Sequence, residues 1–220
     1  MNPGAAYTAR PMRPVLILLF AAVLLAAPTH ALESVWVRIP RGTPADSLAP
    51  ELRRLEAGGP RTTSAAAAFA LGQFHHARGE YRQAADAFGR SAARLQGYER
   101  AEARYRQGLA WLGAEDGGRA RADFEEVSTI SQPLRALAQL GLAQALALSG
   151  EPTRELDVLK RLLEGSAGEA EPAALERYAL LCERAHRVAE SVAARDRLQR
   201  RWPRSLEAAR LGFDAPMVRP

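Results

Sequence analysis

The sequence is poor in the residues that build sheets and disulfide frameworks. Its 220 residues include one cysteine, and only 6% are aromatic. A single cysteine excludes a scaffold held by disulfides within the chain, and the shortage of aromatic residues argues against a β-sandwich. With 47% hydrophobic and 25% charged residues, the chain also differs from disordered proteins. Alanine, the strongest helix former, runs through every segment, so the composition predicts an all-α protein.

The sequence also lacks a face of one charge sign. Its net charge is +5, from 30 basic and 25 acidic residues, but the signs alternate, as in the stretch 99–104. Lys160 is the only lysine, which we attribute to coding bias. We interpret the late basic stretch as a solvated helix face with cations near its C-terminal end, and we expect no nucleic-acid partner. That stretch contains Arg195, Arg197, Arg200, Arg201 and Arg204.

The first 31 residues have the three regions of a secretory signal peptide. Arg10 and Arg13 precede the apolar run 15–27, and the segment 28–31 ends in Ala31. A helical run of this length reaches about 20 Å, short of the ~30 Å hydrocarbon core. We expect cleavage after Ala31 and an exported, periplasmic or secreted protein without a stable membrane span. An uncleaved N-terminal anchor in the inner membrane is the alternative.

Residues 32–64 are expected to form an adaptor or linker. The stretch 35–39 alternates in polarity, which indicates a short strand, and Leu48, Leu52 and Leu55 indicate a short helix. Prolines and a glycine, Pro40, Gly42, Pro44 and Pro50, interrupt the segment. The run 39–42 resembles small strand-then-helix modules that bind cell-wall glycans. Glycan binding through residues 32–64 is therefore an alternative function.

From Ala65 onward the sequence repeats itself. Three pairs of residues are 36 apart and define the first two units. A weaker third unit follows at an offset of 35, and a fainter fourth unit follows at a further 36. Each unit predicts a helix, a turn and a second helix, with the turns at Gly79, at 117–118 and at Gly150. A single helical pair cannot bury both of its faces, so the units are expected to stack. The three pairs are Gly72 and Gly108, Ala84 and Ala120, and Phe88 and Phe124.

Small residues at fixed positions are expected to let the helices pack closely. We expect Gly72, Gly108 and Ala143 to bring the two helices of a unit together, while Phe88 and Phe124 fill the space between them. Ala84 and Ala120 would let the second helix nest on the next unit. Glu155 breaks this pattern in the third unit.

The pattern Leu71-Gly72, Gly79-x-Tyr81, Ala84-x-x-x-Phe88, repeated as Gly108 and Ala120-x-x-x-Phe124, resembles the tetratricopeptide repeat (TPR). The resemblance covers roughly residues 65–204 and implies an all-α solenoid of about four helix pairs plus a C-terminal capping helix. The units would lie at about 65–98, 101–134, 136–169 and 172–205. The segment 202–209 resembles the unit boundary of periplasmic TPR proteins of Gram-negative envelopes. Residues 206–220 would form the capping helix and the tail, with Ser205 as the N-cap of a helix at about 206–211 that ends at Gly212.

The resemblance further implies a concave groove, lined by the first helix of each pair, that holds a peptide or helix of an envelope protein. Each apolar residue among the groove positions is equally well explained as a core residue. The Lys/Asn/Arg set with which some TPR proteins clamp a C-terminal carboxylate is absent, which favours a partly apolar groove. A homo-oligomer paired through Trp36 and the groove is an alternative. The groove positions are Phe69, Gln73, His76, Tyr105, Leu109, Leu112, Leu140 and Gln144.

Few residues could carry chemistry. His75 and His76 are adjacent and would point about 100° apart on a helix, so with Glu80 they supply at most two metal ligands. Cys182 and His186 lie four apart but lack an orienting third group, and no glycine-rich nucleotide loop is present. We therefore expect no metal, no cofactor and no enzyme. A small hydrolase that uses Cys182 is the least favoured alternative.

Overall fold

The computed structural model describes residues 45–213, and in this range it consists of helices without a strand. The expected signal peptide and the expected strand at 35–39 lie outside the described residues. No helix between residues 45 and 213 combines the length and the apolar character that a membrane span requires. The helices are α1 (Ala45–Gly58), α2 (Arg61–Ala77), α3 (Tyr81–Ala92), α4 (Gly97–Gly113), α5 (Gly117–Ile130), α6 (Arg135–Leu148), α7 (Pro152–Glu164), a 3-10 turn (Gly168–Ala170), α8 (Glu171–Arg184), α9 (Val188–Arg201) and α10 (Leu206–Phe213).

Helices α2 to α9 form four hairpins that stack in chain order. The pairs are α2 with α3, α4 with α5, α6 with α7, and α8 with α9, and each second helix packs against the first helix of the next pair. Helix α1 packs on α2 at one end, and α10 contacts α8 and α9 at the other. The all-α solenoid with a C-terminal capping helix is confirmed.

Four matching turns fix the register of the repeats. One residue in each turn has the left-handed conformation, at Gly79, Glu115, Gly150 and His186, with φ between 58° and 73°. The residue that follows donates its N–H to the carbonyl five residues earlier, at 2.7–3.0 Å, as in a Schellman motif. The spacings of 36, 35 and 36 establish the expected offsets of the third and fourth units.

The second turn differs from the expectation that Gly117 and Gly118 would form it. Glu115 takes the left-handed position, and Gly117 instead begins α5. A Cβ at Gly117 would lie 2.8 Å from the carbonyl oxygen of Ala145. Gly117 is therefore required by the close approach of α5 to α6 and not by the turn.

The expected packing of glycine against phenylalanine is present. A Cβ at Gly72 would lie 2.6 Å from the ring of Phe88, and one at Gly108 would lie 2.9 Å from the ring of Phe124. Phe124 also lies against Gly141 of the next unit, where an added Cβ would be 2.6 Å away. The two rings are buried, and each fills the space that the missing side chains leave.

The N-terminal end of the solenoid begins earlier than the expected boundary at Ala65. Helix α2 starts at Arg61, and α1 spans 14 residues with Pro50 inside it, so this proline does not interrupt the helix. Pro50 lies in the second turn, where the missing N–H removes a single helical hydrogen bond. Leu52 and Leu55 of α1 are buried in a cluster with Leu71, which makes α1 part of the stack.

At the C-terminal end, the expected N-cap is present and the last helix is longer than expected. Ser205 Oγ accepts a hydrogen bond from the N–H of Ala208 at 3.1 Å. Helix α10 continues through Gly212 to Phe213, so the expected stop at Gly212 is wrong. Ala208 and Leu211 are buried in the core cluster of the last two units. Helix propensity did not predict this extension, because the stability of α10 comes from its packing on the last unit and not from its local sequence.

The basic stretch 195–204 is only partly the solvated face that we expected. The carboxylate of Glu171, at the start of α8, is buried and accepts hydrogen bonds from Arg197 Nε at 2.7 Å, Arg201 Nη1 at 2.6 Å and Trp202 Nε1 at 3.1 Å. Two of the arginines therefore tie the end of α9 to the start of α8.

Candidate partner-binding groove

The first helices of successive units line one surface of the stack. Helices α4 and α6 contact each other, and a depression of about 470 Å³ spans α4, α6 and α8. The first helices carry glycine where a second helix packs against them, because Gly108 of α4 and Gly141 of α6 both lie against the ring of Phe124 on α5. The depression is lined by Leu112, Gln144, Ala147, Leu148 and Arg177.

Two of the expected groove residues, Leu112 and Gln144, meet in this depression. Leu109 and Leu140 are half-buried and pack against the core clusters. On α2, Gln73 is half-buried and His76 is exposed, but neither lines the depression. The assignment of these residues to a binding site remains a prediction.

Phe69 and Tyr105 are directed towards the interior of their units. The ring of Phe69 packs edge-on against Phe88, with centroids 5.2 Å apart, and Tyr105 makes the same contact with Phe124 at 5.8 Å. Phe69 is buried and presents little surface to a partner. Burial also raises the pKa of the Tyr105 phenol. The two residues mainly fill the core, which was the alternative explanation for Phe69.

Arg177 lines the depression and was missed by sequence reasoning. Its Nη2 donates to Glu155 Oε2 at 3.0 Å, and its Nε donates to Glu155 Oε1. Glu155 is buried, and its hydrogen bond raises the pKa of the Arg177 guanidinium. The unusual Glu155 could have revealed the site, because a buried carboxylate needs a cationic partner. The register of the fourth unit was too uncertain to identify it.

Leu148 was also missed, although it is the most exposed apolar residue of the depression. Half of its surface is accessible, 50%, and it lies one turn beyond Gln144 at the end of α6. A leucine at this spacing is indistinguishable in sequence from a core leucine such as Leu146, which is buried. Only the tertiary structure separates the two.

Charged side chains of α4 lie near His76 of α2. Arg106 Nε donates to Glu102 Oε1 at 2.8 Å, within α4. Partial desolvation and the nearby charge of Arg106 lower the pKa of His76, so its imidazole is neutral at neutral pH. The ring of His76 packs edge-on against Tyr81 at 5.3 Å.

The residues considered for chemistry have structural roles in the described part of the chain. His75 Nδ1 lies 2.5 Å from Glu80 Oε2, a contact that spans the first turn. Within residues 45–213 no group of three or more His, Cys, Asp or Glu residues could hold a metal ion. Cys182 is buried and burial raises the pKa of its thiol, while His186 lies in an exposed turn.

Comparison with known proteins identifies the fold. No family model matches the sequence, and no curated protein matches it. Among solved structures, the chain is similar to YrrB, a TPR protein with an unusual peptide-binding site (15% identity, TM-score 0.57, 76% of this chain and 84% of that chain). It is also similar to a kinesin-light-chain protein of Podosopora anserina with nearly identical TPR-like repeats (15%, 0.58, 82% and 100%) and to PilF of Pseudomonas aeruginosa (16%, 0.52, 79% and 83%). The protein therefore has a TPR-like fold.

Proposed function

We propose that this protein is a non-enzymatic scaffold that binds a segment of another protein in the depression across α4, α6 and α8. The observation that carries the proposal is an apolar side chain, Leu148, half exposed on the surface where the first helices of three units meet. The similarity in fold to a TPR protein with a peptide-binding site supports a role in binding a protein segment.

The depression combines an apolar floor with a positioned cation. Leu112, Ala147 and Leu148 offer aliphatic surface, and full burial of one leucine contributes roughly 1.5–3 kcal/mol. Glu155 holds the Arg177 guanidinium in one orientation, so little side-chain entropy is lost when a partner binds. Because Glu155 also neutralises much of the charge, the partner that fits best is an apolar segment with a polar acceptor beside it.

We also propose that the partner lies in the cell envelope, because residues 1–31 have the organisation of a signal peptide. If the chain is exported, the purified protein should begin at Leu32. Intact-mass measurement of the protein from the periplasm tests this. A chain that retains residues 1–31 and stays with the membrane would indicate the uncleaved anchor instead.

The groove is tested by capture of partners from a periplasmic extract. Leu148→Asp places a charge on the apolar floor and should abolish the capture of specific partners. Ile130→Asp is a matched control, because Ile130 is exposed to the same extent, 49% against 50%, and lies on α5. Partner capture by Leu148→Asp at the level of the unmodified protein would contradict the proposal. Loss with both variants would show that the depression is not the determinant.

A further inference from the structure

The last helix of the fourth unit has two exposed valines. Val188 and Val192 lie four residues apart at the start of α9, so they share one face, and they are 66% and 52% exposed. Exposed single apolar residues are ordinary in soluble proteins. These two differ because of their position in the repeat.

In the register set by the four turns, Val188 and Val192 occupy the places of Tyr81 and Ala85 in the first unit. There, both residues support the first helix of the next unit. The Tyr81 ring lies against Gly113 of α4, where an added Cβ would be 2.6 Å from the ring, and Ala85 is fully buried. Leu156 of the third unit, at the place of Ala85, is buried as well. The valine face of α9 therefore corresponds to the face of α3 that supports α4 in the first unit.

Helix α10 occupies only part of this stacking position. It spans 8 residues, whereas α4, at the equivalent place after the first unit, spans 17. Its Ala208 and Leu211 are buried against α8 and α9, yet the two valines stay exposed. In the described part of the chain, no helix covers the two valines at the beginning of α9.

We propose that Val188 and Val192 form the interface of a symmetric dimer, in which α9 of one protomer packs antiparallel against α9 of the other. A twofold arrangement places each Val188 opposite the Val192 of the second copy. Both copies then bury the same face, so the contact closes at two chains. The groove on the first helices stays free in this arrangement.

Charged residues beyond the two ends of the valine pair fit such a pairing. Asp196 lies one turn beyond Val192, and Arg184 precedes the turn that leads to Val188. Both are exposed, and neither makes an ion pair within residues 47–211. The antiparallel arrangement brings the Asp196 end of each α9 to the Arg184 end of the other copy, so opposite charges meet on both sides of the apolar contact.

The test is the mass of the purified protein by light scattering across the micromolar range. We expect twice the chain mass for the unmodified protein and the mass of one chain for Val192→Asp and for Val188→Asp. Ile130→Asp, the matched control on α5, should remain a dimer. Circular dichroism shows whether each variant keeps its helices. A monomeric unmodified protein, an open series of larger species, or folded valine variants that stay dimeric would overturn the proposal.

A charge exchange provides a second readout that does not alter the apolar face. Asp196→Arg should weaken the dimer by placing like charges together, and Arg184→Asp in the same chain should restore it. A dimer that is insensitive to the first change, or that is not recovered by the second, would contradict the antiparallel pairing.

Discussion

Two buried carboxylates, one in the second unit and one in the third, are accommodated very differently. Glu155 accepts two hydrogen bonds from one guanidinium. Asp123 lies 3.4 Å from Arg104 through one oxygen, while its Oδ2 has no hydrogen-bond partner. Burial, only partly offset by the charge of Arg104, raises the pKa of Asp123 to about 7. A buried carboxylate is thus tolerated in this fold when a cationic partner donates hydrogen bonds to both of its oxygens. Without them its burial lowers the stability of the folded state.

The equivalent positions of the other units show which residue each carboxylate replaces. Glu155 stands where the first two units have Ala84 and Ala120, both fully buried. Asp123 stands where the fourth unit has Ala194, which is also buried. Each carboxylate therefore sits at a position that alanine fills elsewhere, so the structure does not require a charge at either place.

The largest effect is expected from removing the well-paired carboxylate. Glu155→Ala leaves Arg177 without its partner and should lower the free energy of unfolding by about 3 kcal/mol, at the low end for a broken buried pair because Arg177 is partly exposed to water. Urea unfolding measures the loss. Adding Arg177→Leu should recover most of it, because an apolar pair suits a site that is alanine in other units. A double variant as unstable as the single one would refute this view of the pair.

Removing the poorly paired carboxylate should have the opposite sign. Because burial raises the pKa of Asp123 to about 7, the folded state disfavours its ionised form, and stability falls as the pH rises from about 4 towards 7. Asp123→Asn should therefore stabilise the protein by about 2 kcal/mol near pH 8. This gain is smaller than the full pKa shift would give at ~1.4 kcal/mol per unit, because the substitution also weakens the contact with Arg104. The gain should vanish near pH 4.

Thermal unfolding of both proteins across this pH range measures the difference. Glu126→Gln is a useful comparison, because it keeps Asp123 but removes a neighbouring negative charge that raises the same pKa. Glu126→Gln should shift the pH dependence of the protein's stability without abolishing it. An Asp123→Asn variant with an unchanged pH dependence would contradict the account of this residue.

The smallest effect concerns the turns of the first and second units. Glu115 has φ +59°, a conformation that glycine adopts without strain. Glu115→Gly should raise the free energy of unfolding by about 0.5–1 kcal/mol, because relief of ~1–2 kcal/mol of strain exceeds the entropy that glycine adds to the unfolded chain. Gly79→Ala, at the same place in the first unit, should lower it. Equal stabilities for all three proteins in urea would show that the turns are unstrained.

Much of the fold follows from local pattern. The spacing of Gly72, Gly108, Phe88 and Phe124 predicted both the helical hairpins and their close packing, because the size of a side chain limits how near two helices can lie. The groove was less accessible to prediction. Leu112 and Gln144 line the depression, but Phe69 is buried, and Arg177 was missed because it is defined by a contact with Glu155, 22 residues earlier.

Sequence alone determined the type of element, the length of the repeat and the stacking of one unit on another, since these follow from helical periodicity and from the need to bury apolar faces. Only the tertiary structure decided which leucines face outward, which acids are paired and which face of the last unit has no covering helix in the described range. Those properties depend on the curvature and the crossing of helices far apart in the chain, and a single stretch of sequence does not contain that information.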